Sequence, residues 1–198
     1  ESGAAMQDRE LIDEIMTLIV AGHETTASGL NWTWYLLSQN PAAEAKMHAE
    51  IDALDVEAAP SLPAMEQLAY TRQVVDEALR LYPPGWLLSR RTIGPDKLGG
   101  FEIPAGTDVL FSPYLLHRHP KFWHEPEAFR PERFDTRHES ERPRFAYMPF
   151  AAGPRHCIGE TMALYEMYMH LYKVARHYRF ITLEDQPPEI EAHVNLRT

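Results

Sequence analysis

The chain has 198 residues and a formal charge of −10, from 19 Lys and Arg against 29 Asp and Glu, with no basic run to offset it. That charge argues against nucleic acid or an anionic membrane as the main partner, while 44% apolar and 24% charged residues match a folded globular protein long enough to bury a core. The longest apolar runs are four residues, such as Leu18 to Ala21, which excludes a spanning helix within the chain, and a single cysteine, Cys157, excludes a disulfide framework. No basic-then-apolar leader follows Glu1, so a reduced, cytoplasmic setting is expected, with an anchor upstream left open.

From about Asp8 to Gln39, Ile12, Ile15, Met16, Ile19, Leu30, Trp34 and Leu37 recur at helical spacing before the stop at Asn40-Pro41, which predicts one long helix. Within it Ala21-Gly22-His23-Glu24-Thr25-Thr26 is poor helix design, costing roughly 1 kcal/mol at the glycine alone. Something should compensate: Gly22 removes bulk, and the Thr25 hydroxyl can bond the carbonyl four residues back and bend the helix. A second helix is expected at about Pro41 to Leu54 and a third from about Met65 to Tyr82, ended by Pro83-Pro84. Glu77 and Arg80 lie three apart on this third helix and so share a face; if buried, the pair needs partners for its remaining donors.

Residues 86 to 112 change period. Gly99-Gly100 before Phe101-Glu102-Ile103, and Pro104-Ala105-Gly106 before Val109-Leu110-Phe111, predict short strands in a small sheet. From Pro113 to Pro154, prolines, histidines and aromatics make a long irregular stretch whose aromatic content argues for order and function. His117, His119 and His124 are close in sequence there but lack carboxylates to complete a metal site. A last helix is expected from about Cys157 to His177, then strand-like residues Phe180 to Leu183.

In Phe150-Ala-Ala-Gly153-Pro-Arg155-His-Cys157-Ile-Gly159 the residue types serve one purpose. Gly153 lets the backbone pass close to a flat ligand, and Cys157 falls where loop becomes helix, a position that favours a thiolate. Arg155 adds a permanent cation suited to a carboxylate. Together they describe an axial sulfur for iron and a clamp for a haem propionate, against the plainer reading of Cys157 as a small buried hydrophobe.

This loop resembles that of the cytochrome P-450 family of haem-thiolate monooxygenases, F-x-x-G-x-R-x-C-x-G, at every fixed position. Three further family motifs follow the family order: Ala21 to Thr26 as A-G-x-E-T-T, Glu77-Ala-Leu-Arg80 as E-x-x-R and Pro131-Glu-Arg133-Phe134 as P-E-R-F. The resemblance implies a mainly α (α+β) fold with a long central helix, a small β-sheet and an irregular cysteine-ligand loop. Whole members are about twice as long, so residues 1–198 are expected to be one partial domain, the carboxy-terminal half, lacking the amino-terminal half and the last hairpin.

The same resemblance assigns roles. Cys157 would be the axial ligand of haem b, with Phe150, Gly153, Arg155 and Gly159 shaping its loop. Arg91 would bind a second propionate, although the adjacent Arg90 leaves that assignment open by one residue. Ala21 and Gly22 would border the dioxygen groove, with Thr25 and Glu24 delivering protons. Glu77, Arg80 and Arg133 would form a structural network, and Trp86, Leu87 and Leu88 a wall of the substrate cavity, with Ala27 to Leu30 as lesser candidates. Partners would be a small hydrophobic substrate, dioxygen and a ferredoxin or NADPH-dependent reductase. A peroxide-driven peroxygenase is disfavoured by the Glu24-Thr25 pair, and a haem-free helical module is the other alternative. Leu88 to Thr92 and His117-Arg118 look closer to long-chain and terpenoid-type branches than to camphor-type ones.

Overall fold

The computed structural model describes residues 5–54, 62–183, 188–193 and 195–197. Asp8–Gln39 forms one 32-residue helix, α1, about 48 Å long at the standard rise. At its start the Glu10 carboxylate accepts the Gln7 N–H at 2.9 Å. Its second half buries Trp32, Trp34, Leu36 and Leu37, whereas in its first half seven apolar side chains from Leu11 to Val20 remain 46% to 64% exposed. Among the described residues no helix is long and apolar enough to cross a membrane.

Helix α2 (Pro41–Ala53) begins with its proline in the first turn, as expected. The expected third helix is two, α3 (Leu62–Glu66) and α4 (Ala69–Leu81). No Gly or Pro makes this break; a neighbouring helix does. The Glu50 carboxylate of α2 accepts the N–H groups of Tyr70 (2.6 Å) and Thr71 (2.8 Å) and the Thr71 hydroxyl (2.8 Å), capping α4 where its first donors would otherwise be orphaned. The second half of α1 packs with α2, α4 and α6 (Glu160–Ala175) around the fully buried Leu37, Met47, Ile51, Val74, Val75 and Leu171.

Among the described residues three two-stranded antiparallel sheets accompany the helices. Strand β1 (Leu88–Arg91) pairs with β4 (Asp108–Phe111), Arg91 opposite Asp108. Between them β2 (Asp96–Leu98) and β3 (Phe101–Ile103) form a hairpin turned by Gly99 and Gly100 at φ 57° and 90°, the left-handed pair a two-residue hairpin loop requires. A third pair, β5 (Glu191–Ala192) with β6 (Leu196–Arg197), docks on α1, where the Leu196 carbonyl accepts the Ser28 hydroxyl and the Trp32 indole N–H. Residues 180–183, expected as a strand, run irregularly: the Phe180 ring lies 4.6 Å from that of Trp34 and Thr182 accepts the Gln39 amide at 2.7 Å, so side chains rather than a ladder hold them.

The irregular stretch is ordered around one buried indole. Trp123 is 4% exposed and lies beneath the Arg80 guanidinium, 5.0 Å from its ring centre, while Arg142 stacks over Phe134 at 4.3 Å. Short turns fill the rest, among them α5 (Pro113–Leu116) and a 3-10 turn at Pro131–Phe134.

Candidate functional site

Glu77 and Arg80 are wholly buried on α4, and all five Arg80 N–H groups are used. Nε and Nη2 donate to the Glu77 carboxylate at 2.7 and 2.9 Å. Nη1 donates to the carbonyls of His117 (2.8 Å) and Pro126 (2.7 Å), and Nη2 also to that of Ala128 (3.2 Å). Glu77 Oε1 further accepts the Arg130 N–H at 2.8 Å and Arg133 Nε at 3.3 Å. The helix thus brings together the three residues of the expected network. Sequence reasoning missed the rest, because backbone carbonyls and an amide carry no residue signal.

Two side chains join α4 to the cysteine loop. His117 is fully buried, its Nδ1 directed at the Arg80 carbonyl (3.2 Å) and its Nε2 accepting the Met148 N–H (2.9 Å). Burial pushes this imidazole down to about 3, so it stays neutral, and with both nitrogens engaged it has none for a metal. Next to it, the Tyr147 hydroxyl donates to the Asp76 carboxylate at 3.0 Å. Burial pushes Asp76 up to about 6, against the lowering pull of Tyr147, Arg142 and Arg72.

Two residues beyond Met148, the Phe150 carbonyl accepts the Cys157 N–H at 2.9 Å and closes the loop. Ala151 and Gly153 make the reversal with φ of 61° and 70°; the glycine was legible from sequence, the strained alanine was not. The expected helix from Cys157 begins later, at Glu160, and Cys157 itself belongs to the loop that its N–H closes. Cys157 therefore stands just ahead of the α6 N-terminus with its thiol exposed, over Gly159, where an added Cβ would lie 3.8 Å from Sγ. Ile158, next in the chain, and Met162, on the first turns of α6, are exposed as well. Arg155 is exposed, and among the described residues nothing bonds its guanidinium.

On α1 an open hollow of about 600 Å³ is lined by Met16, Thr17, Val20, Ala21, Glu24 and Thr25, with Asn195 from between β5 and β6. The Thr25 hydroxyl donates to the Ala21 carbonyl at 2.7 Å, the expected return bond. Gly22 faces open space, with nothing within 4 Å of an added Cβ. Thr26, one residue on, has its hydroxyl buried without a partner among the described residues. The other expected residues lie apart from this hollow. Arg91 grips Asp108 with two bonds of 2.8 and 2.7 Å on the exposed β1–β4 pair, so a propionate would compete for its fork. Trp86 donates to the His193 carbonyl at 2.9 Å, Leu87 is exposed, Leu88 is half-buried, and none of the three lines the hollow.

An exposed thiol at a helix start, apolar side chains exposed around it, an unbonded arginine two residues away and an apolar hollow bordered by Ala21 suit a flat apolar group that bears carboxylates and an iron. The residues present fit haem.

The chain belongs to the cytochrome P450 family, whose model, described as Cytochrome P450, matches residues 1–197. It is 45% identical over 179 residues to cyclooctatin synthase of Streptomyces melanosporofaciens, a match covering 90% of this chain and 39% of that protein. It is 38% identical to Cytochrome P450 97B2, chloroplastic, of Glycine max, over 96% of this chain and 38% of that protein. The crystal structure of the cytochrome P450DA heme domain superposes with a TM-score of 0.94 at 30% identity, covering 100% of this chain and 44% of that one. The chain thus spans about two fifths of the length of the curated relatives it matches.

Proposed function

We propose that the protein carrying this chain is a haem-thiolate monooxygenase that oxidises a hydrophobic organic substrate with electrons from a ferredoxin or an NADPH-dependent reductase, and that residues 1–198 are one partial domain of it. The observation that carries this reading is the exposed Cys157 thiol at the head of α6, held by a loop that hydrogen bonds tie back to the buried Glu77-Arg80 pair. Haem, when bound, supplies an iron that activates dioxygen for insertion into a C–H bond, with the sulfur as electron-donating ligand.

The chain's own residues do the remaining work. Cys157 is the ligand and Arg155 offers its fork to a propionate. Phe150, Gly153 and Gly159 fix the loop, while Ala21 and Gly22 leave room on α1. Thr25, whose proton rests on the Ala21 carbonyl, keeps a lone pair to accept a bond from water, and Glu24 beside it takes up and releases protons. Met16 and Val20 keep that hollow apolar. One relative is named cyclooctat-9-en-7-ol 5-monooxygenase, and with the terpenoid-like segments noted above this supports a compact hydrocarbon skeleton as substrate.

The test is the carbon monoxide difference spectrum of the reduced full-length protein and of Cys157→Ser. Thiolate ligation gives the far-red-shifted Soret band, which the variant should lose together with monooxygenation. A variant that keeps both overturns the assignment, and a native protein without the band supports the haem-free alternative.

A further inference from the structure

The two helices of the proposed site separate at one buried layer. On α1 the first buried residues are Ser28 and Gly29, and on α6 the first is Met167. Ahead of that layer the apolar side chains from Leu11 to Val20 on α1, and Ile158 and Met162 at the head of α6, are exposed. Thr25, one helical turn before Gly29, and the Cys157 thiol, just ahead of α6, therefore both stand on the open side of it. Gly29 leaves the layer no spare room. An added Cβ there would lie 3.2 Å from Met167 Cε, 3.5 Å from Leu79 Cδ2 and 3.6 Å from Met167 Sδ. Met167 is 2% exposed and Leu79 3%, so neither has open space to move into. Leu79 sits on α4 between Glu77 and Arg80, so the helix of the hollow, the helix of the ion pair and the helix behind the thiol meet at this point.

We propose that Gly29 is a positioning residue: with Met167 seated on it, it sets how near α6 stands to α1 at the inner end of the open side, and so the width of the slot in which haem and the water at Thr25 are held. This rests on the monooxygenase reading, which puts the ligand on the α6 side and the dioxygen groove on α1. Alanine is the better helix former, so what the glycine supplies here is close approach. An alanine methyl would meet Leu79 and the Met167 sulfur at ordinary contact and crowd only Met167 Cε, by a few tenths of an ångström. Valine would put two more methyl groups into a layer already closed, and in a close-packed interior that crowding is relieved by moving the helices apart. A wider slot grips the cofactor less and changes how closely α1 stands over whatever is bound there.

The experiment uses the haem-loaded full-length protein and three readouts: the rate of haem transfer to excess apomyoglobin, the infrared C–O stretching band of carbon monoxide bound to the reduced protein, and the melting temperature. Gly29→Val should release haem about tenfold faster, the equivalent of a modest overpacking cost, with the stretching band shifted and broadened. Gly29→Ala should move both readouts the same way by less, while its melting temperature holds or rises because alanine favours the helix. Met167→Ala, which makes room against residue 29, should restore both readouts when combined with Gly29→Val. Alone it should lower the melting temperature and leave the band in place.

Gly29 variants that melt earlier but keep native haem transfer and a native stretching band overturn the proposal, since that is the result of packing alone, as do variants in which nothing changes. A double variant that folds and still releases haem at the Gly29→Val rate overturns it too, by showing that the effect does not run through Met167. Where Gly29→Val does not fold, Gly29→Ala and the double variant decide by the same readouts. Every variant should keep the far-red-shifted Soret band of the carbon monoxide complex; its absence from the native protein would instead defeat the monooxygenase reading itself.

Discussion

Replacing Glu77 by alanine strips the acceptor from a fully buried guanidinium. Two Arg80 N–H groups, at 2.7 and 2.9 Å, and the Arg130 N–H at 2.8 Å lose their partner at once, and Arg133 Nε loses its own at 3.3 Å. A buried donor left unmet costs roughly 1–3 kcal/mol; partial relaxation keeps the total near the 3–5 kcal/mol typical of breaking a buried ion pair, a large part of the roughly 5–15 kcal/mol that holds a domain folded. The full-length Glu77→Ala protein should therefore accumulate poorly and load little haem. Where it folds, denaturant titration should show a midpoint loss equivalent to about 3–5 kcal/mol. Arg80→Lys tests the geometry, because an ammonium has three donors and no planar fork and cannot reach the carboxylate and three carbonyls together. It should fail nearly as badly. If either variant folds, binds haem fully and loses only turnover, the pair acts in the chemistry and this reasoning is wrong.

The isolated 198-residue chain should aggregate and hold haem poorly, because seven apolar side chains of α1 are 46% to 64% exposed; a monomer with a cooperative melt and stoichiometric haem would refute this. Asp76→Asn should stabilise the full-length protein by about 1 kcal/mol at pH 8, discounted because the residue is partly exposed. The gain should shrink toward pH 5, since a carboxyl raised to about 6 by the fold holds its proton below that pH and carries a charge penalty above it; an equal effect at both pH values would show the carboxyl is not raised. Thr25→Ala in the full-length protein should keep the thiolate spectrum and cofactor consumption but release hydrogen peroxide in place of product. Thr26→Ala, whose hydroxyl is buried and points about 100° away, should couple normally, and reversed results would exchange the two roles.

What was legible in the sequence was whatever a residue type announces by itself. The span of α1 followed from apolar spacing and Asn40-Pro41, and the reversal at Gly153 from what a glycine permits; a lone cysteine by itself reads as a small buried hydrophobe, and only the family pattern singles out Cys157, whose thiol is exposed. What was hidden depended on residues distant in the chain. The α3–α4 break is made by Glu50, some twenty residues earlier, and the left-handed Ala151 is imposed by the closure between Phe150 and Cys157. Asn195 belongs to no motif, and nothing in the sequence announces that its side-chain oxygen is buried without a partner among the described residues.

His117 shows how the parts that were legible act as one. Its carbonyl accepts Arg80 Nη1 while its ring spans from the Arg80 carbonyl to the Met148 N–H, two residues before the carbonyl that holds the Cys157 N–H. A run of short hydrogen bonds thus leads from the ion pair to the sulfur-bearing loop. The neutral imidazole suits this place because it donates at one nitrogen and accepts at the other, and protonation would turn the accepting nitrogen against the Met148 amide. With burial pushing His117 down to about 3, the link survives across the working pH range. The Glu77-Arg80 pair therefore acts on the chemistry through position: it fixes where the thiol stands, and its loss should register as failure to hold haem before any change in the rate of oxidation.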